Sequence, residues 1–96
     1  MTKQDIFYKE NIIPEFIKFK DNLKSVLDDY KLLSEFTDES GNFLSPVTMI
    51  RPTETGCPET NLSPKFQVDY PEITPEIVSL LSGFQYNIIQ MWKHQN

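Results

Sequence analysis

Residues 74–92 of the sequence read TPEIVSLLSGFQYNIIQMW. Apolar side chains recur in this stretch every three or four residues, at Ile77, Leu80, Leu81, Phe84, Ile88, Met91 and Trp92. That spacing places them on one face of an α-helix. Thr74 suits the N-cap, Pro75 suits the first helical position, and Glu76 faces the positive end of the helix dipole. We therefore predict that the C-terminal segment, residues 74–96, is an amphipathic helix.

A glycine, Gly83, interrupts this apolar pattern in the middle of the predicted helix. Glycine at an interior helical position costs about 1 kcal/mol relative to alanine. We expect that another segment of backbone approaches the helix closely at Gly83, where a side chain would not fit.

The N-terminal third predicts a second, longer helix. Its apolar residues also recur at spacings of three and four, at Phe16, Phe19, Leu23, Val26, Tyr30 and Leu33. Pro14 suits a first helical turn and disfavours a helical Ile13, so the helix is expected over residues 14–36. Thr2 and Asp5 have the spacing of a capping box, which predicts a short helix or an arm over residues 1–13.

The middle of the chain is predicted to be irregular. Six of the seven prolines lie between residues 35 and 76, and proline interrupts helices. Within the acidic, proline-rich segment 37–73, two stretches have the character of strands: residues 47–51, and residues 66–70, whose side chains alternate between apolar and polar. We predict that they pair as a small antiparallel β-hairpin with a long loop over residues 52–64.

The predicted fold class is therefore α+β, with a long N-terminal helix, a small hairpin and a C-terminal amphipathic helix. A chain of 96 residues with 39% hydrophobic residues can bury one core, so residues 1–96 are expected to form a single domain. The N-terminus is charged and has no long apolar stretch, so neither a secretory signal nor a membrane span is expected. With a lone cysteine, Cys57, no internal disulfide can form, and a cytoplasmic location is expected.

The residue types argue against catalysis and against a cofactor. Zinc sites need about four ligands, usually Cys and His, and the chain has only Cys57 and His94. Acidic neighbours, Glu54 and Glu59, should raise the pKa of the Cys57 thiol, which disfavours a nucleophilic role. The sequence contains no phosphate-binding loop or nucleophile elbow. We predict that the protein is not an enzyme and binds no metal or cofactor.

Direct binding to nucleic acid is also disfavoured. Phosphate contacts supply most of the affinity for nucleic acids, and they require a basic surface. The formal net charge of this chain is −5. Although the N-terminal third holds six lysines, six acidic residues alternate with them, which is typical of a solvated helix face with internal ion pairs.

The acidic middle segment is the predicted functional surface. Residues 35–76 carry eight acidic side chains and only Arg51 and Lys65 as basic ones, and such a field steers association with basic partners. The candidate partner-binding residues are Glu35, Asp38, Glu39, Glu54 and Glu59. We predict a protein-binding inhibitor of the immunity, antitoxin or phage-borne kind. Its expected partner is a basic protein, and proteins that act on nucleic acid are among the candidates. The alternative is that the acidic side chains only keep a small domain soluble.

A competing hypothesis is assembly through helices. Both predicted helices carry more apolar residues than one face needs, and a small monomer has little surface with which to cover them. A homodimer would form through the N-terminal helix, with Phe19, Leu23, Val26 and Tyr30 at the interface. The alternative is that these side chains pack within one chain.

Overall fold

The described chain, residues 2–50 and 58–94 of a computed structural model, has the predicted α+β fold. Its elements are α1 (Lys3–Phe7), a π-helical turn (Tyr8–Ile12), α2 (Ile13–Asp29), a 3₁₀ helix (Leu33–Phe36), β1 (Val47–Ile50), β2 (Glu59–Leu62), α3 (Pro64–Asp69) and α4 (Thr74–His94). The long N-terminal helix, the two-stranded antiparallel hairpin and the C-terminal helix are confirmed. Several boundaries differ from the predicted ones, for reasons given below.

The N-terminal helix begins well before Pro14. The capping box forms as predicted: the Asp5 amide donates to Thr2 Oγ1 and the Thr2 amide to Asp5 Oδ2, both at 3.1 Å. The chain then stays helical through the π turn, in which the Ile13 amide donates to the Tyr8 carbonyl. A proline lacks an amide donor and its ring collides with the carbonyl four residues earlier, so a widened turn before Pro14 lets the helix continue. The short helix predicted within residues 1–13 is therefore present as α1, and it continues through the π turn into α2 instead of ending before Pro14.

The π turn also determines which side chains reach the core. Phe7 and Ile12 are five residues apart, yet both are buried, at 1% and 0% exposure. In a regular α-helix this spacing would place them about 140° apart around the axis. The wider turn brings both onto the face that packs against α4.

Helix α2 ends at Asp29, earlier than the predicted residue 36. Lys31 adopts a left-handed conformation with φ of 60°, and its amide donates to the Asp28 carbonyl at 2.9 Å. The Leu32 amide donates to the Leu27 carbonyl at 2.8 Å, which completes a Schellman cap. Glycine usually occupies the left-handed position, so a lysine there gave no sequence signal for the end of the helix.

The hairpin uses the predicted first strand but a different second strand. Antiparallel pairing joins Val47 to Leu62 at one end and Ile50 to Glu59 at the other. The segment 58–62, which the prediction placed in the loop, therefore belongs mostly to β2. Gln85 Nε2 of α4 donates to Thr60 Oγ1 at 2.9 Å, which links the hairpin to the C-terminal helix.

The strand predicted over residues 66–70 is wrong, because this segment lies in and after α3. Ser63 Oγ accepts a hydrogen bond from the Phe66 amide at 3.3 Å, and Pro64 occupies the first turn. This is the usual chemistry of a helix start. The alternating pattern was misleading, since Phe66 is buried while Val68 is 78% exposed.

One hydrophobic core joins the helices to the hairpin. Its buried side chains are Phe7, Ile12, Phe19, Leu23, Leu27, Val47, Leu62, Phe66, Ile73, Ile77, Phe84 and Ile88. The Phe84 ring lies 5.7 Å from those of both Phe16 and Phe19. No atom from another described segment lies within 4 Å of the position that a Cβ on Gly83 would take. The close backbone approach expected at Gly83 is therefore not made by any described residue.

Candidate protein-binding surface

Two tyrosines link the end of α2 and the 3₁₀ helix to the end of α3 and the start of α4. The Tyr70 hydroxyl donates to Glu35 Oε2 at 2.6 Å, which joins the end of α3 to the 3₁₀ helix. The Tyr30 hydroxyl, just after α2, lies within reach of the Glu76 carboxylate in the first turn of α4, which raises the pKa of the phenol. These two contacts bring together residues that lie far apart in the sequence.

Five carboxylates surround the two tyrosines and form what we call the acidic end: Asp29, Glu35, Asp69, Glu72 and Glu76. The pKa of Tyr30 is raised, first by its hydrogen bond to Glu76 and then by that carboxylate's charge, with smaller effects from burial, Asp29 and Glu72. The pKa of Tyr70 is raised in the same way by the hydrogen bond to Glu35, with smaller effects from burial and from the charges of Glu35 and Asp69. Both phenols therefore sit in a negative potential.

No ion pair among the described residues neutralises the negative charge of the acidic end. Within residues 2–50 and 58–94, none of its five carboxylates has a lysine or arginine nitrogen within 4 Å, and the ion pair that is seen, Lys18 to Glu15 at 3.3 Å, lies on α2. Glu76 does stabilise the N-terminus of α4 through the helix dipole. All five side chains belong to exposed residues, so their field reaches the solvent.

The structure separates the acidic residues that the sequence predicted as one surface. Glu35 belongs to the acidic end, whereas Asp38 and Glu39 lie in the turn that follows the 3₁₀ helix. Glu59 lies at the end of the hairpin opposite the Val47–Leu62 pair. Glu54 lies outside the described residues.

Asp38 has a local structural task. Its Oδ1 accepts hydrogen bonds from the amides of Ser40 at 2.9 Å and Asn42 at 2.8 Å. These bonds, that to Asn42 foremost, lower the pKa of the Asp38 carboxyl. Gly41, with φ of 86°, completes the turn. Asp38 therefore holds the turn 38–42 in place and is less available to a partner than Glu35.

The predicted dimer interface divides into buried and exposed residues. Phe19 and Leu23 are 4% and 0% exposed within the single chain, where they pack against α4, so a second copy cannot reach them. Val26 is partly buried against the same core. Tyr30 is 49% exposed, but its hydroxyl is engaged with Glu76.

A groove of about 340 Å³ adjoins the acidic end, between the 3₁₀ helix and α3. We call it the aromatic groove, because Phe36, Phe66 and Tyr70 line it together with the charged residues Glu35, Lys65 and Asp69. The ring centroids of Phe66 and Tyr70 are 5.0 Å apart, and those of Phe36 and Phe66 are 5.6 Å apart. Its remaining lining residues are Leu44, Ser45, Pro46 and Ser63.

Sequence reasoning missed the tyrosines of this surface. Tyr70 was assigned to a strand, and Tyr30 to an apolar helix face, so neither was considered beside a carboxylate. A signal was present in the acidic residues that flank each tyrosine, Asp29 before Tyr30 and Asp69 before Tyr70. The pairing with Glu35 and Glu76 depends on the tertiary fold and has no local pattern.

The described residues contain no group of three or more His, Cys, Asp or Glu side chains arranged to hold a metal ion. Across the same part of the chain, no helix is both long enough and apolar enough to cross a membrane. Comparisons with protein-family models, with curated proteins and with solved structures found no match.

Proposed function

We propose that this protein is a non-enzymatic binding module that recognises a basic protein partner through its acidic end and thereby inhibits it. The observation that supports this proposal is the grouping of five carboxylates, unpaired with described lysines or arginines, around two tyrosines. Tyrosine is enriched at protein interfaces, where its ring provides buried area and its hydroxyl a hydrogen bond. A basic partner would be steered towards this surface by the field.

The same surface argues against a role for the acidic residues in solubility alone. Charges that serve only solubility are best spread over the surface and mixed in sign. Here Asp29, Glu72 and Glu76 gather around one ring, and the second tyrosine adds Glu35 and Asp69. Concentrating like charges costs electrostatic free energy, which a basic partner would recover on binding. A cytoplasmic location, where partners that act on nucleic acid are found, is part of the proposal.

The decisive experiment is affinity capture from lysate of the native host with a charge-reversed variant. Asp29→Lys/Glu72→Lys reverses two carboxylates beside Tyr30 and leaves both tyrosine hydrogen bonds intact. Glu10→Lys/Asp21→Lys is the matched control, because it changes the net charge equally at exposed positions of the N-terminal helix. The wild type and the control should retain the same basic protein, and the variant should lose it.

The dependence of partner capture on ionic strength provides a second test of the proposal. Raising the ionic strength from low to physiological values shortens the screening length, so capture through exposed charges should weaken steeply. Thermal unfolding of all three proteins should remain similar. Retention of a partner by the charge-reversed variant, or capture that salt does not affect, would contradict the proposal.

Self-assembly remains a second candidate because aliphatic side chains are exposed on both long helices. Ile13 and Ile17 are 37% and 52% exposed on α2, and Val78 and Ile89 are 46% and 41% exposed on α4. An interface would use these residues rather than Phe19 and Leu23. Light scattering at micromolar concentration should report a dimer that Ile17→Lys dissociates, while a strict monomer would exclude this function.

A further inference from the structure

The size of the aromatic groove limits what it can hold. Binding sites for small molecules span about 300–1,000 Å³, and this groove, of about 340 Å³, is at the lower end. A single extended side chain fits such a volume, whereas a nucleotide cofactor would not be enclosed.

The charges around the groove favour a cation. Glu35 and Asp69 supply two carboxylates and Lys65 one ammonium group, which leaves an excess of negative charge. Among the described residues, Tyr70 is the hydrogen-bond partner of Glu35 and occupies Oε2. Glu35 Oε1 therefore keeps its capacity to accept a hydrogen bond from a guest.

The rings favour one kind of cation. A guanidinium group is planar, weakly hydrated and stacks on aromatic faces, while its fork of N–H donors matches carboxylates. An ammonium group is a compact, strongly hydrated charge without a face to stack. The combination of Phe36, Phe66 and Tyr70 with two carboxylates thus matches arginine better than lysine.

We propose that the aromatic groove receives an arginine side chain of the basic partner. The guanidinium group stacks on the partly exposed rings of Phe36 and Tyr70, which the buried Phe66 supports. It donates hydrogen bonds to the carboxylates of Glu35 and Asp69. This inference rests on the proposed function, since it assigns the contact by which the acidic end recognises its partner. Lys65, the one cation among the described lining residues, repels the bound guanidinium group.

The test uses three short peptides as probes, each acetylated and amidated and differing in one central residue: arginine, lysine or citrulline. Citrulline keeps the shape of arginine but has no charge. Titration into the isotopically labelled full chain, followed by amide chemical shifts, should show saturable changes at Phe36, Leu44 and Phe66 with the arginine peptide. The citrulline peptide should bind at least about tenfold more weakly, and the lysine peptide should be intermediate.

Variants of the chain provide controls in which the affinity for the arginine peptide should change in opposite directions. Glu35→Gln keeps an acceptor for the Tyr70 hydroxyl but removes the charge, and should weaken the arginine peptide about tenfold. Glu39→Gln makes the same change in the turn outside the groove and should have little effect. Lys65→Gln should tighten binding several-fold, a gain that loss of folding cannot imitate.

Two results would overturn the inference. One is equal affinity for the arginine and lysine peptides, with shifts spread over Asp29 and Glu72 instead of the groove. The other is unchanged or weaker binding in Lys65→Gln. If Asp29→Lys/Glu72→Lys loses the captured partner while Glu35→Gln retains it fully, the proposed function stands and the arginine groove is wrong. If no basic partner is captured at all, the proposed function itself fails.

Discussion

The two long helices and the middle of the chain contribute differently to the fold. The N-terminal helix and α4 supply most of the buried apolar side chains, including Leu23, Ile77 and Ile88 at 0% exposure. The middle, residues 30–50 and 58–73, adds a smaller share of the core, Val47, Leu62, Phe66 and Ile73, together with short polar contacts. The helices therefore supply the larger part of the core, and the middle supplies most of the acidic end and the lining of the aromatic groove.

The polar contacts of the middle are local and specific. Thr37 Oγ1 donates to the Leu33 carbonyl and Ser45 Oγ to the Val47 carbonyl, both at 2.8 Å. Gln67 Nε2 donates to the Leu62 carbonyl at 3.2 Å. Each such bond contributes only about 1 kcal/mol net, so the middle depends mainly on the core that it shares with the helices. The comparison teaches that most of the candidate binding surface lies on the segments with the smaller share of that core.

The largest expected effect compares one leucine from each region. Leu23→Ala should lower the free energy of unfolding by about 4 kcal/mol, because a fully enclosed site cannot collapse around the cavity. Leu62→Ala should cost about 2 kcal/mol, since Leu62 is 9% exposed in a two-stranded hairpin that can relax. Urea unfolding of both variants checks the order. Equal losses in the two variants, or a larger loss in Leu62→Ala, would contradict the difference between the two regions.

The two described glycines give changes of opposite sign. Gly83→Ala should raise the free energy of unfolding by about 1 kcal/mol, because the position is helical and no other described segment comes within 4 Å of the new Cβ. Gly41→Ala should lower it by about 1 kcal/mol, because φ of 86° is strained for any residue with a Cβ. Thermal unfolding measures both. If Gly83→Ala were destabilising, the result would contradict the open space that the structure places beside Gly83.

The helices were predictable from the sequence because the apolar residues that stabilise them recur at a regular spacing. Burial of one helix face requires apolar residues every three or four positions, and the run from Ile77 to Trp92 shows this directly. The capping box at Thr2 was predictable because it is local chemistry. The start of α4 was predicted to within one residue, but the N-cap role of Thr74 was wrong: Thr74 is the first helical residue, and its hydroxyl donates to the Tyr70 carbonyl at 2.9 Å.

Sequence reasoning missed two kinds of feature. Some are exceptions to the usual residue preferences of helices and strands, and others depend on residues that are distant in the sequence. A lysine at the left-handed position 31 ends α2, and a π turn carries the helix past Pro14. Residues 66–70 alternate as a strand does, yet the Ser63 cap makes the segment helical. The surface itself depends on pairs such as Tyr70 with Glu35, whose members are brought together only by the fold.

A smaller effect is expected at the cap of α3. Ser63→Ala removes the acceptor for the Phe66 amide and should cost about 1 kcal/mol. Ser82→Ala is the matched control, because Ser82 is exposed in the interior of α4, where alanine is the better helix former. Denaturant unfolding should show a loss for the first variant and none for the second. An equal response would mean that the cap does not hold α3.

The smallest effect concerns the two tyrosine hydrogen bonds at alkaline pH. The pKa of both phenols lies above the ordinary value of about 10, because ionisation would remove the proton that each donates to a carboxylate. A pKa raised in the folded state stabilises the fold fully below pH 10, and this contribution is lost as the pH rises through the folded-state pKa. The wild type should therefore lose stability above pH 10 more steeply than Tyr30→Phe/Tyr70→Phe, which has no such protons to lose.

The control for this titration is Tyr86→Phe, since Tyr86 is 61% exposed on α4 and makes no hydrogen bond with a described residue. It should follow the wild-type profile of stability against pH. Spectrophotometric titration of the tyrosinate band should show two late-ionising phenols in the wild type that are absent from the double variant. If the double variant kept the wild-type slope above pH 10, the link between the acidic end and its tyrosines would not contribute to folding. The middle would then be attached to the helices by its apolar residues alone.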